Sequence, residues 1–215
     1  MVKTRLAQSF PVEAITALYR CLLDDTMALA RSLGDVEVAI MCPAADVDDL
    51  SRLAGDAVRV VAQTGEGLAA GLTSVFAHFA VAGQRRVIAF NSDSPHLPAA
   101  VLENAFEALA ECDVVVGPTH DGGYYLVGAN ATHPGLFNGD GMGTSNALET
   151  LRQRVQALGL SLRLEDFFYD IDVVSDLTRL AAELRLAPAR APRTAAWLAQ
   201  WGPVVAELRT GTGDL

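Results

Sequence analysis

The sequence predicts an α/β protein of three layers, α/β/α, in which helices cover both faces of a mainly parallel sheet. Two patterns predict it. Short apolar runs recur along the chain, and segments of helical length with apolar residues at three- and four-residue spacing lie between most of them. A third feature breaks that rhythm. From Val114 to Val127 two strand-like runs are bridged by Asp121-Gly122-Gly123, which predicts an antiparallel insertion.

The first helix is predicted over residues 12–33, where Ile15, Leu18, Leu22, Leu23 and Met27 share a face and Gly34 ends the pattern. Strands are predicted at 36–41, 58–62, 87–90, 114–116, 124–127 and 160–164, and further helices at 44–53, 67–81, 99–111 and 145–158. In the helix at 67–81, Leu68, Leu72, Val75, Phe76 and Phe79 form one stripe, which reads as core packing. A helix from about Asp176 to Leu186 precedes a proline-punctuated stretch. The last helix carries Trp197 and Trp201 on one face, four residues apart. The expected organisation is one α/β domain over 1–186, with 187–215 as a carboxy-terminal helix and tail packed on it.

Composition narrows the function. With 215 residues, 51% hydrophobic and 20% charged, the chain reads as a soluble globular protein able to bury a substantial core. A formal charge of -10 argues against an extended nucleic-acid footprint. Cys21, Cys42 and Cys112 are odd in number and lack metal-ligand spacing, so they read as buried thiols of a cytoplasmic protein. No signal peptide or membrane span is expected. The four histidines show no metal spacing, and no Gly-x-Ser-x-Gly elbow supports a hydrolase.

Several residues are placed to carry chemistry. Asp93 follows the apolar run Val87-Ile88-Ala89-Phe90 and precedes Pro95. An acid beyond the carboxyl end of a parallel strand suits a metal or substrate, although Asp also starts helices well. Asp170 and Asp172 form a second acidic group, either a magnesium site with Asp93 or an acidic turn capping the next helix. Asp121-Gly122-Gly123, with Tyr124 beside it, is a strong turn signal that also lets backbone amides approach a substrate. Gly143, Thr144 and Ser145 end a glycine-rich loop before a helix, a place for phosphate or carboxylate or for an ordinary cap. Gln63 to Gly67 joins a strand to a helix, either as a nucleotide contact or as a plain turn. Lys3 and Arg5 could neutralise phosphate oxygens or simply be solvated.

Val2-Lys3-Thr4-Arg5-Leu6, NSDSPHL from Asn91, GPTHDGGYYLVG from Gly117 and YDIDVVSDL from Tyr169 together resemble the DUF2064 group. These are glycosyltransferase-like proteins with the Rossmann-like GT-A nucleotide-diphospho-sugar transferase fold, some associated with arsenosugar biosynthesis. The resemblance implies that Asp93, Asp170 and Asp172 hold a divalent metal, magnesium or manganese, and that Lys3 and Arg5 contact nucleotide phosphates; Gln63 and Gly67 stay candidate nucleotide contacts from their strand-to-helix turn alone. It also implies that the Asp121-Gly122-Gly123 loop, with Tyr124 beside it, faces the second substrate. Gly143, Thr144 and Ser145 instead resemble the glycine-rich acceptor loop, ending in Ser, of the guanylyltransferases and stand where DUF2064 members more often have Trp-Ser-Thr. The expected activity is glycosyl transfer from a nucleotide sugar to a small acceptor. The chain is more distantly similar to phospholactate and phosphoenolpyruvate guanylyltransferases, which leaves nucleotidyl transfer from a nucleoside triphosphate as an alternative.

Relatives carry a strand and glycine-containing loop ahead of the Lys-Thr-Arg-Leu motif, and Met1 stands directly before that motif here. A misassigned start is therefore expected. The other expectations are an inactive binding protein, or pairing into a homodimer through an exposed sheet edge.

Overall fold

A computed structural model describes residues 5–138 and 141–211. In chain order the elements are α1 (Val12–Ser32), β1 (Ala39–Cys42), α2 (Val47–Ala54), β2 (Arg59–Ala62), α3 (Gly67–Val81), β3 (Val87–Phe90) and α4 (Ala99–Ala108). They continue with β4 (Val114–Pro118), β5 (Tyr124–Ala129), α5 (Ala147–Ala157), β6 (Leu162–Leu164), α6 (Val174–Leu186) and α7 (Pro192–Gly211). Two compact units result. One comprises Met1–Gly34, Ser92–Ala99 and Tyr169–Leu215; the other comprises Asp35–Asn91 and Ala100–Phe168.

The first unit is built on helices. The apolar face of α1 puts Ile15, Leu18 and Leu22 in one core with Leu177, Leu180 and Leu184 of α6 and Trp197 of α7. Trp197 and Trp201 stack with centroids 5.9 Å apart, as their spacing predicts, and the Trp197 indole N–H donates to the Ala14 carbonyl at 3.1 Å. The segment after 186 thus shares its core with α1 and α6.

Within the same core, Asp25 is 2% exposed. Its two oxygens accept the Arg193 N–H at 3.2 Å and the Thr194 N–H at 2.8 Å. The first amides of a helix have no partner within it, and an anion there also meets the favourable end of the helix dipole. Asp25 on α1 therefore caps α7 across 168 residues of chain.

The second unit contains two sheets. β1 and β2 pair in parallel as one. The other has the order β3-β5-β4-β6, with β5 antiparallel to both β3 and β4, and β4 parallel to β6. The antiparallel insertion expected from the Asp-Gly-Gly turn is thus β5, seated between strands that run the other way. β1 and β3 each stand at the edge of their own sheet among the described residues. Both contact α3, and the Gln84 amide, just ahead of β3, donates to Glu37, just ahead of β1, at 3.3 Å.

In α3, Leu72 and Phe76 are buried and Val75 and Phe79 pack beside them, but Leu68 is 50% exposed. The stripe turns outward at its first turn, so Leu68 is not a core residue. Among the thiols, Cys42 is buried whereas Cys21 and Cys112 are half-buried. No helix among the described residues is long and apolar enough to cross a membrane.

Replacing Asp25 by Ala leaves two amides at the start of α7 without their acceptor. We predict a loss of about 1–3 kcal/mol in denaturant unfolding, with Asp25→Asn losing less because it keeps one acceptor oxygen.

Candidate functional site

Three residues beyond β3, Asp93 enters the first unit. Its carbonyl accepts the Ile171 N–H at 3.0 Å, and one residue on, the Ser94 hydroxyl donates to the Tyr169 carbonyl at 3.0 Å. These two rungs lay the Asp93 segment alongside residues 169–172. Ile171 is fully buried, while Asp170, Asp172 and Asp93 are half-buried. Asp170 and Asp172 flank a residue whose own side chain is buried in the core. The structure thus brings Asp93 next to Asp170 and Asp172 through the backbone.

Asp176 serves a different purpose. One of its oxygens accepts the N–H groups of Asp172 at 2.9 Å and Val173 at 2.8 Å, closing the start of α6. Val173 holds the N-cap position of α6, and Asp176 secures the helix start. The amino-terminal dipole of α6 also lowers the cost of gathering carboxylates there.

An aromatic layer supports this segment. The Tyr169 ring packs tilted against His96, with centroids 4.6 Å apart, and the Arg179 guanidinium lies over it, 3.8 Å from its centroid. Burial, then the charges of Arg179 and Arg190, push His96 down to about 3, so the imidazole is neutral at ordinary pH.

Among the described residues, no group of three or more His, Cys, Asp or Glu side chains is arranged to hold a metal ion. The donor set nevertheless fits magnesium or manganese. These ions take oxygen ligands, and magnesium usually needs only one or two carboxylates beside water and substrate phosphates. Of the expected phosphate ligands, Arg5 is exposed ahead of the turn Leu6–Gln8, and Lys3 lies outside the described residues.

The other candidates lie in the second unit. The Gln63 side-chain amide donates to the Gly65 carbonyl at 3.1 Å, and its oxygen lies so close to Gly71 that a Cβ there would come within 2.8 Å. Gln63 thus holds the strand-to-helix turn, and Gly67 supplies a φ of +78° at the start of α3. A cleft of about 880 Å³ runs along α3, and neither Gln63 nor Gly67 lines it.

Asp121, Gly122 and Gly123 form the β4–β5 turn. The Asp121 carboxylate accepts the Thr119 hydroxyl at 2.5 Å and the Gly123 N–H at 3.2 Å, fixing the loop from inside. Gly122 has φ +88°, and a Cβ on it would collide with the Ser145 carbonyl; its own carbonyl accepts the Leu148 N–H at 3.0 Å. The two glycine loops are therefore in direct contact. The Tyr124 hydroxyl points to the Met142 sulfur at 3.8 Å, and burial pushes it up to about 12, so it stays protonated. Thr144 donates to the Gly141 carbonyl at 2.9 Å and accepts the Asn146 N–H at 3.2 Å, which makes it a loop clasp. Gly143 has open space where a Cβ would stand and no positive φ, so nothing local demands glycine there. Asp121, Gly122, Gly123, Tyr124, Gly143, Thr144 and Ser145 are thus assembled in one unit.

Two further side chains stand beside this loop pair. His120 and Phe167 stack with centroids 5.2 Å apart and planes at 16°. Sequence reasoning passed over them, although the adjacent Phe167-Phe168 pair was a signal: in a strand-like segment one of two neighbouring rings must face outward.

This arrangement defines a class of architecture. The chain superposes on a candidate nucleotide-diphospho-sugar transferase from Desulfovibrio desulfuricans G20 with a TM-score of 0.88 at 24% identity, covering 96% of this chain and 91% of that one. A homologue of Mycobacterium tuberculosis Rv0371c from Mycobacterium sp. strain JC1 is similar with a TM-score of 0.51 at 18% identity, covering 77% of this chain and 84% of that one. The fold is that of the nucleotide-diphospho-sugar transferases, α/β with a mixed sheet. Residues 26–144 match the profile of DUF2064, uncharacterized proteins conserved in bacteria, and the chain belongs to that family. No curated protein matches it.

Two outcomes follow. Unfolded chains protonate histidine near 6.5 but the folded chain only near 3, so the unfolded state binds the extra proton between those values. Stability should therefore fall as pH drops from about 6.5 towards 3, by at most about 1.4 kcal/mol per pH unit from this group. Denaturant titrations of the protein and of His96→Phe check it, the variant showing a shallower decline. Gly122→Ala should cost about 2–4 kcal/mol in the same assay, from left-handed strain plus the clash at Ser145.

Proposed function

We propose that the protein is a metal-dependent transferase that uses a nucleotide-activated donor, a nucleotide sugar, and passes its sugar to a small acceptor. The observation that carries this reading is the Ile171 N–H to Asp93 carbonyl bond at 3.0 Å, which sets Asp93 beside Asp170 and Asp172. The fold shared with the Desulfovibrio protein supports the donor class.

Asp93 and Asp172, with Asp170 beside them, would hold magnesium or manganese. Such an ion supplies charge neutralisation for a diphosphate as it departs. The chain's own contribution is positional. The backbone rungs at Asp93 and Ser94 fix the carboxylates, and Asp176 holds the amides of Asp172 and Val173. Lys3 and Arg5 would add positive charge for phosphate oxygens, Arg bidentately. In the second unit, the Asp121 loop and the Thr144 loop offer the second substrate a fixed backbone with exposed polar groups. Protonated Tyr124 can donate a hydrogen bond but cannot serve as a base at neutral pH.

Titration calorimetry with UDP-sugars and then nucleoside triphosphates, each with and without magnesium, tests the reading. Saturable, magnesium-dependent binding of a UDP-sugar is expected, and Asp93→Asn should weaken it at least about tenfold. Binding of triphosphates alone would favour nucleotidyl transfer. Unchanged affinity in Asp93→Asn would remove the metal assignment.

A further inference from the structure

The pairing of β4 with β6 runs past the ends of both strands. The Phe168 N–H donates to the Pro118 carbonyl at 3.1 Å, and Thr119 bridges Phe168 in parallel. The next residue after Thr119 is His120, and the one before Phe168 is Phe167. The His120–Phe167 stack thus stands on two backbones locked together at the carboxyl ends of adjacent parallel strands, where α/β sheets bind ligands.

The support beneath is equally fixed. Phe168 turns inward against Tyr125, with centroids 5.8 Å apart, and the Tyr125 hydroxyl donates to the Asp166 carbonyl at 3.1 Å. Phe167 in turn faces out and is 54% exposed. His120, Asp121 and Asp166 beside it are exposed too. An aromatic face held rigidly in water, next to the loop that would receive the second substrate, has the chemistry of a stacking platform.

The flanking charges select what stacks. The Asp121 carboxylate accepts Thr119 and Gly123, Glu165 pairs with Arg163 at 3.6 Å, and Asp166 adds a further exposed acidic side chain. Carboxylates repel a phosphorylated or carboxylic ligand but accept hydrogen bonds from hydroxyl groups. The electron-rich ring face attracts polarised C–H groups, as it does other positive edges. We propose that the His120–Phe167 platform binds the acceptor as a neutral, hydroxyl-bearing ring, a sugar or glycoside. Its C–H face lies on Phe167, and its hydroxyls donate to Asp166. The word acceptor rests on the transferase reading; the ring site itself does not.

Saturation-transfer NMR on the full chain, without metal or donor, tests the site with methyl α-D-glucopyranoside, glucose 6-phosphate and glycerol as probes. The glucoside's ring protons should be saturated, the phosphate ester should bind more weakly, and glycerol should show no effect. Phe167→Ala should weaken glucoside binding about tenfold and Phe167→Tyr should retain it, both variants keeping a native amide spectrum because the ring is half-exposed. No glucoside binding by the unaltered protein, equal binding by Phe167→Ala, or tighter binding of glucose 6-phosphate would overturn the proposal. Failure of the transferase reading would show separately, as absence of magnesium-dependent donor binding with the ring site intact.

Discussion

The bond from the Ile171 N–H to the Asp93 carbonyl decides how the first unit presents its acids. It joins two segments 78 residues apart in sequence, and it holds because Ile171 is buried in the same core as α1, α6 and α7. Burying a full isoleucine side chain stabilises by about 1.5–3 kcal/mol, more than a typical backbone bond contributes net. The apolar residue therefore anchors the rung, and the acids on either side of it follow. His96 packs tilted against Tyr169, and the Arg179 guanidinium lies over the same ring.

The second unit solves a different problem, that of holding two glycine-containing loops still. Flexible residues usually mean mobile loops, yet here each glycine loop is pinned by a side chain from within. Asp121 ties Thr119 to Gly123, and Thr144 ties Gly141 to Asn146. Because Gly122 has no Cβ, the two loops touch backbone to backbone at Ser145 and Leu148.

Elements with strong local signals were legible. The bounds of α3 follow from its apolar spacing and the glycine that opens it, and the β4–β5 hairpin follows from its Asp-Gly turn. Pairing between distant strands was not legible, because nothing local in Val87-Ile88-Ala89-Phe90 says that β5 will lie beside it in reverse. Asp25 was equally opaque: an acid on the apolar face of a helix makes sense only once the start of α7 arrives to use it. At the candidate site, residue types singled out Asp93 and Asp172 as candidates, whereas the duty of Asp176 at the start of α6 emerged from hydrogen bonds. Phe167 was missed because outward and inward aromatics look alike until the register is known.

The central claim is that the Asp93 and Ile171 segments together hold a divalent ion. Paramagnetic broadening by manganese, followed on assigned amide signals, tests it most directly, because it locates the ion whether or not turnover is seen. The account predicts that substoichiometric manganese erases the amide signals of Asp93 and of residues 170–172 first, and that magnesium restores them. Broadening spread evenly over exposed carboxylates, or centred elsewhere, would contradict it.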